Sequence, residues 1–181
     1  METGYQLIFW GIFLMTVHIN IGNFQILPQF IGWAMIAGGI SKLNASQAVK
    51  EYNKASVFAV MGVIYSIINF IWDIEGLQTS NFFLASGATF IGAVELFTEY
   101  YIIQGSAGYL NDRGNKQYSN DLIRRINKFV TIYIIILAAL FISLTLYSSF
   151  IMTLCSILAV AMRIWYLVMI YGLKKYYSWK R

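Results

Sequence analysis

The sequence predicts an all-α integral membrane protein: one polytopic bundle of six transmembrane helices spanning residues 1–181, with both termini on the cytoplasmic side. Three observations carry this expectation. Hydrophobic residues make up 59% of the 181 and charged residues only 12%, too little polar surface to cover a soluble globule of that size. The apolar residues gather in six runs, each near the ~20 residues that a helix needs to cross a hydrocarbon core. Twelve of the thirteen basic residues fall in alternate links between those runs or in the carboxyl tail.

The spans are expected at residues 5–21, 27–43, 56–74, 82–103, 129–147 and 150–173. The run 5–21 follows Glu2 rather than a basic segment and lacks a small-residue cleavage site, so it is expected to stay as a membrane helix. A short link containing Pro28, the only proline, joins it to the second span; proline suits the first turn of a helix because its φ is already helical. The second span is short and carries Gly32, Gly38 and Gly39, which also fits an interfacial or re-entrant helix and would leave five crossings. Between the fourth and fifth spans, the polar stretch 105–128 reads as a turn around Asn111–Lys116 followed by the start of an amphipathic helix.

Orientation follows from charge. With six spans, Lys42, Lys50 and Lys54, then Arg113, Lys116, Arg124, Arg125 and Lys128, then Lys174, Lys175, Lys180 and Arg181 all share one side, and the opposite links carry no Lys or Arg. The positive-inside rule makes that side cytoplasmic, whereas five spans would scatter the same residues over both. The formal charge of +5 is therefore a topology signal and not a nucleic-acid footprint. Tyr100, Tyr101, Tyr176, Tyr177 and Trp179 cluster at the inner boundary, where aromatic belts form.

At Ile26-Leu-Pro-Gln-Phe-Ile-Gly-Trp33, preceded by Ile19-Asn-Ile-Gly22, the chain resembles a loose group of small uncharacterised bacterial membrane proteins that carry I-L-P-D-F-I-G-Y in a first hairpin. The resemblance covers about 25 residues, and Gln29 replaces the acid of that pattern. It implies a bacterial cell-membrane protein and brings no activity with it.

Small and polar residues recur at spacings of three and four, which places them on one helical face. The third span has Gly62, Ser66, Asn69 and Asp73; the fourth Ala88, Gly92, Glu95 and Glu99; the sixth Ser156, Ala159 and Arg163; the first Gly11, His18 and Gly22. Such faces pack helix on helix, small residues allowing close approach and polar ones bonding across. Within them, charge deep in an apolar run is expensive, about 3 kcal/mol or more, so it turns inward and takes a partner. Glu95 and Arg163 each lie ~20 Å from the outer start of their spans at 1.5 Å per residue and are expected to pair. Glu99 lies one turn further in. His18, Asn69 and Asp73 fall in the outer half and suggest a polar pocket above the pair for a small polar or cationic ligand. Packing alone is the plainer reading of all six residues.

The chain excludes several enzymes. His18 is the only histidine, so Leu84-Ala-Ser86-Gly87 lacks the base that a rhomboid-type serine dyad needs in the sixth span. No H-E-x-x-H pair or phosphate-binding loop is present, and Cys155 stands alone, so no catalytic site, metal site or cofactor is expected. ATP-driven transport would need a separate ATPase subunit. The size and layout resemble the substrate-binding subunits of energy-coupling-factor transporters, although the Ala-x-x-x-Ala docking motif of their first span is absent from 5–21. The expected partners are the lipid bilayer, a small polar or cationic ligand and a membrane or ATPase partner subunit. The expected role is a small-solute or ion transporter, or its membrane subunit. The alternative is a non-enzymatic interaction protein (immunity, sensor or assembly factor) that uses its basic loop 113–128 and its basic tail.

Overall fold

The computed structural model describes residues 2–16, 20–21, 24–25, 28–75, 81–146 and 148–178. Among these lie six helices: α1 (Glu2–Thr16), α2 (Gln29–Gln47), α3 (Lys50–Glu75), α4 (Asn81–Asp112), α5 (Lys116–Thr145) and α6 (Ser149–Ser178). Each packs on the next in sequence and α6 packs back on α1, so the six close into a ring. Tyr5 at the start of α1 stacks on Tyr177 at the end of α6, with ring centroids 5.4 Å apart. Both described ends of the chain therefore lie at one end of the bundle, together with the α2–α3 and α4–α5 turns.

Three helices, not six, are long and apolar enough to cross a membrane: α3 over Lys50–Trp72, α5 over Lys116–Thr145 and α6 over Ser149–Tyr177. Large apolar side chains on their outer faces, such as Val57, Ile64, Ile135, Phe150, Ile157 and Val168, are exposed. An apolar exterior around buried carboxylates reverses the pattern of a soluble protein and suits a lipid surround. The other three helices depart from the simple span for separate reasons. α1 has 15 residues, ~21 Å at 1.5 Å per residue against a core of ~30 Å. α2 is glycine-rich, and α4 carries Glu95 and Glu99 at its centre.

The expectation of a first helix over 5–21 is corrected. α1 stops at Thr16, and Asn20–Ile21 pairs antiparallel with Phe24–Gln25 in a two-residue ladder. In the last turn of α1 the Thr16 hydroxyl donates back to the Ile12 oxygen at 2.8 Å, and the Met15 oxygen accepts from Arg163, outside the helix. The glycines of α2 have a packing role. A Cβ on Gly11 would stand 2.6 Å from the Gly32 oxygen, and one on Gly39 2.7 Å from the Gly4 oxygen, so α1 and α2 run backbone against backbone through two glycine pairs seven residues apart.

The inner turns are tight. Ala48 takes a left-handed conformation (φ 50°) after α2, its N–H donating to the Asn44 oxygen. Gly114 does the same (φ 81°) between α4 and α5, with its N–H on the Asn111 oxygen. The turn expected around Asn111–Lys116 is followed, as expected, by helix: from Lys116 onward the chain forms the first turns of α5, where Asp121 pairs with Arg124 at 2.9 Å and with Arg125 at 2.8 Å.

Candidate functional site

α4 turns one face toward the ring interior, and on it Glu95, Thr98, Glu99, Ile102 and Ser106 recur at helical spacing, all buried. Glu95 and Arg163 each stand 14 residues beyond the first residue of their helices, which puts them at equal depth. They pair: the Arg163 Nη2–H donates to Glu95 Oε2 at 2.8 Å. Arg163 Nη1–H donates to the Met15 carbonyl oxygen at 3.1 Å, which binds the end of α1 into the same group. The Tyr133 hydroxyl of α5 donates to Glu95 Oε2 at 3.3 Å, and the Tyr166 hydroxyl of α6 to the main-chain oxygen of Glu99 at 3.2 Å. Four helices thus meet on one layer, α1, α4, α5 and α6.

Arg163 serves two electron-rich partners, a carboxylate and the negative end of a helix dipole. Both of its Nη groups are engaged, and no comparable donor reaches Glu99. Neither Glu99 oxygen has a hydrogen-bond partner, and Glu95 Oε1, Arg163 Nε and Trp33 Nε1 are likewise buried and unpartnered. Glu95, Glu99 and Trp33 border one cavity of ≈ 10 Å³, closed by Ile12, Ile36, Thr98 and Ile102. The side chain of Glu95 is 6% exposed and that of Arg163 21%, with the Arg163 Nε buried.

A second polar group lies toward the end of the bundle that holds the α2–α3 and α4–α5 turns. The Tyr5 hydroxyl donates to Ser106 Oγ at 2.8 Å, Ser106 to the Ile102 carbonyl at 2.7 Å, and the Tyr52 hydroxyl to Gln47 Oε1 at 2.7 Å, with Tyr52 and Ser106 3.2 Å apart. It joins α1, α2, α3 and α4 with neutral groups only. On the outward side of α4, an apolar groove of ≈ 630 Å³ runs along α5 between Phe97, Tyr100, Val130 and Ile134, with no charged lining residue.

No known family, curated protein or solved structure matches the chain. The site therefore stands on its own geometry.

Of the six residues singled out in the sequence, the structure brings Glu95, Glu99 and Arg163 together. Asn69 is half-buried in the last two turns of α3, which packs mainly on α2 and α4. Asp73 belongs to α3, but its side chain, like His18 as a whole, lies outside the described residues. The stripe expected on the sixth span does not hold: Ser156 is exposed and its hydroxyl donates to the Met152 oxygen of its own helix, whereas Arg163 turns inward. Among the described residues no three of His, Cys, Asp and Glu come together as a metal site would require.

Sequence reasoning missed Tyr133, Tyr166, Trp33 and the Met15 carbonyl. The aromatic residues carry no local signal that separates them from apolar core. The Met15 carbonyl is a main-chain group, which side-chain patterning does not report.

Proposed function

We propose that the protein is a membrane transporter, or the membrane subunit of one, for a small polar or cationic solute or an ion, with the Glu95–Glu99–Arg163 layer as its binding site. One observation carries this reading: α1 ends inside the bundle beside buried charge, its Met15 carbonyl on Arg163, with the unpartnered Glu99 carboxyl nearby. Irregular backbone at membrane depth persists where it is buried in protein or lines a cavity, and interrupted helices are how many transporters present dipole ends and free carbonyls to a substrate. Intramembrane carboxylates in such places mark ion and solute paths.

In this reading all six helices cross or enter the membrane, with both termini and the basic turns in the cytoplasm, in keeping with the charge asymmetry of the links. The I-L-P-x-F-I-G-W segment points to a bacterial cell membrane. The conformation described is closed, because ≈ 10 Å³ admits no solute; uptake would require the layer to open. ATP-driven movement would enlist a separate ATPase subunit.

The test is uptake by the purified protein in lipid vesicles, with labelled basic amino acids, polyamines, quaternary amines and sodium ion offered in turn. At least one should accumulate above protein-free vesicles, and Glu95→Gln and Arg163→Gln should each abolish that uptake. No accumulation of any of them, or uptake unchanged in both variants, removes this reading. The interaction-protein reading would then lead, because the inner end exposes Arg113, Lys116, Arg124, Arg125 and Lys128 together, a surface suited to anionic lipid or an acidic partner.

A further inference from the structure

We infer that Glu99 is a proton-binding site: its carboxyl holds one proton while Glu95 is paired with Arg163, and releases it to water when the layer opens. The inference rests on reading this layer as a binding site and names the ion it takes.

Charge balance is the first ground. Among the described residues around the cavity, α1 supplies Ile12 and α2 supplies Trp33 and Ile36, none of them charged. α4 supplies the two carboxyls, and α5 and α6 add the hydroxyls of Tyr133 and Tyr166 together with the one guanidinium, Arg163. No side chain of α3 lines it. Two ionised carboxylates against one guanidinium would leave a net negative charge in a low-dielectric interior, at a cost of several kcal/mol. A single proton removes it.

Hydrogen bonding decides which carboxyl takes the proton. Glu95 Oε2 accepts from both Arg163 and Tyr133, bonds that favour the carboxylate form. Glu99 has no such donor on either oxygen.

In the closed conformation the cavity admits no larger occupant. At ≈ 10 Å³ it is the size of one water molecule, too small for an organic solute. The oxygen-bearing side chains that line it are the carboxyls of Glu95 and Glu99 and the Thr98 hydroxyl, whose own proton is committed to the Val94 carbonyl at 2.8 Å. These fall short of the roughly six oxygens that hard cations gather. A separate observation comes from α2: the indole of Trp33 is fully buried on the same cavity, and its N–H has no acceptor.

Infrared spectroscopy of the purified protein in vesicles tests this directly, through the carbonyl stretch of a neutral carboxylic acid and its shift in heavy water. The wild type should show that band at neutral pH, and Glu99→Gln should fold normally and lack it. In Glu95→Gln only one carboxyl faces Arg163, so the band should vanish although Glu99 is present. The inference is overturned by absence of the band in the wild type, by its persistence in either variant, by its loss on adding sodium or potassium ion, or by failure of Glu99→Gln to fold, since a neutral isostere of the protonated acid should be tolerated. The spectrum needs no transported solute. A band without uptake therefore sinks the transport reading alone, and uptake without the band sinks the proton site alone.

Discussion

Arg163 of α6 holds the carbonyl oxygen of Met15, 148 residues earlier in the chain, at the point where α1 stops. The same guanidinium pairs with Glu95 at 2.8 Å, so one side chain closes the ring and neutralises a buried carboxylate at once.

That double duty makes the pair asymmetric. Removing either charge strands the other and should cost about 3–5 kcal/mol, whereas removing both should cost much less. Arg163→Leu also leaves the Met15 carbonyl without its donor, so it should be the more damaging single change, and Glu95→Leu with Arg163→Leu should recover only part of the loss. Thermal unfolding of the four proteins in detergent gives the cycle; strictly additive losses would show that the two residues do not interact. Arg163→Lys should not restore the wild-type value, because an ammonium lacks the planar fork that reaches two acceptors.

Tyr133→Phe isolates a weaker contact. The hydroxyl reaches Glu95 Oε2 at 3.3 Å, a long hydrogen bond, and its loss should cost about 1 kcal/mol. A loss several times larger in the same unfolding measurement would give Tyr133 a greater part in holding the carboxylate than its distance implies.

The α1–α2 contact depends on glycine at particular places. Gly11→Ala puts a methyl group 2.6 Å from the Gly32 oxygen, so the helices must separate, and the melting temperature should fall by several degrees. Gly38→Ala meets nothing within 4 Å and should be neutral or stabilising by up to ~1 kcal/mol through helix propensity. Equal effects at the two positions would contradict the packing described.

Membrane orientation is accessible to fusions. A reporter active only in the cytoplasm should work after Asn115 and after Arg181 and fail after Gln78, because all the basic links should be cytoplasmic. Activity after Gln78 would overturn the six-crossing topology.

The Glu95–Arg163 pair was legible because deep charges are rare in this chain and helical rise converts sequence position into depth. The end of α1 was not. Asn20 and Ile21 lie in the expected span yet pair as a strand with Gln25 and Phe24, and hydropathy reports the solvent that a segment occupies, not whether its backbone is helical. For the same reason α4 was expected to stop near 103: residues 105–112 are polar but remain helical down to Asp112. The Tyr5–Tyr52–Ser106 group joins positions 47 and 101 residues apart, which no local spacing reveals. The glycine pairs were within reach, since Gly4 and Gly11 repeat at the same seven-residue interval as Gly32 and Gly39.

The short α1 has a consequence for biosynthesis. A ribosome delivers this helix first and Arg163 near the end, so for most of synthesis the carbonyl group at Met15 has no donor and the first hairpin faces lipid with its polar end unsealed. Final locking must wait for α6, which makes the last helix the checkpoint of assembly. A chain truncated before residue 149 should be recognised as incomplete and degraded by membrane proteases, even though its first five helices are present.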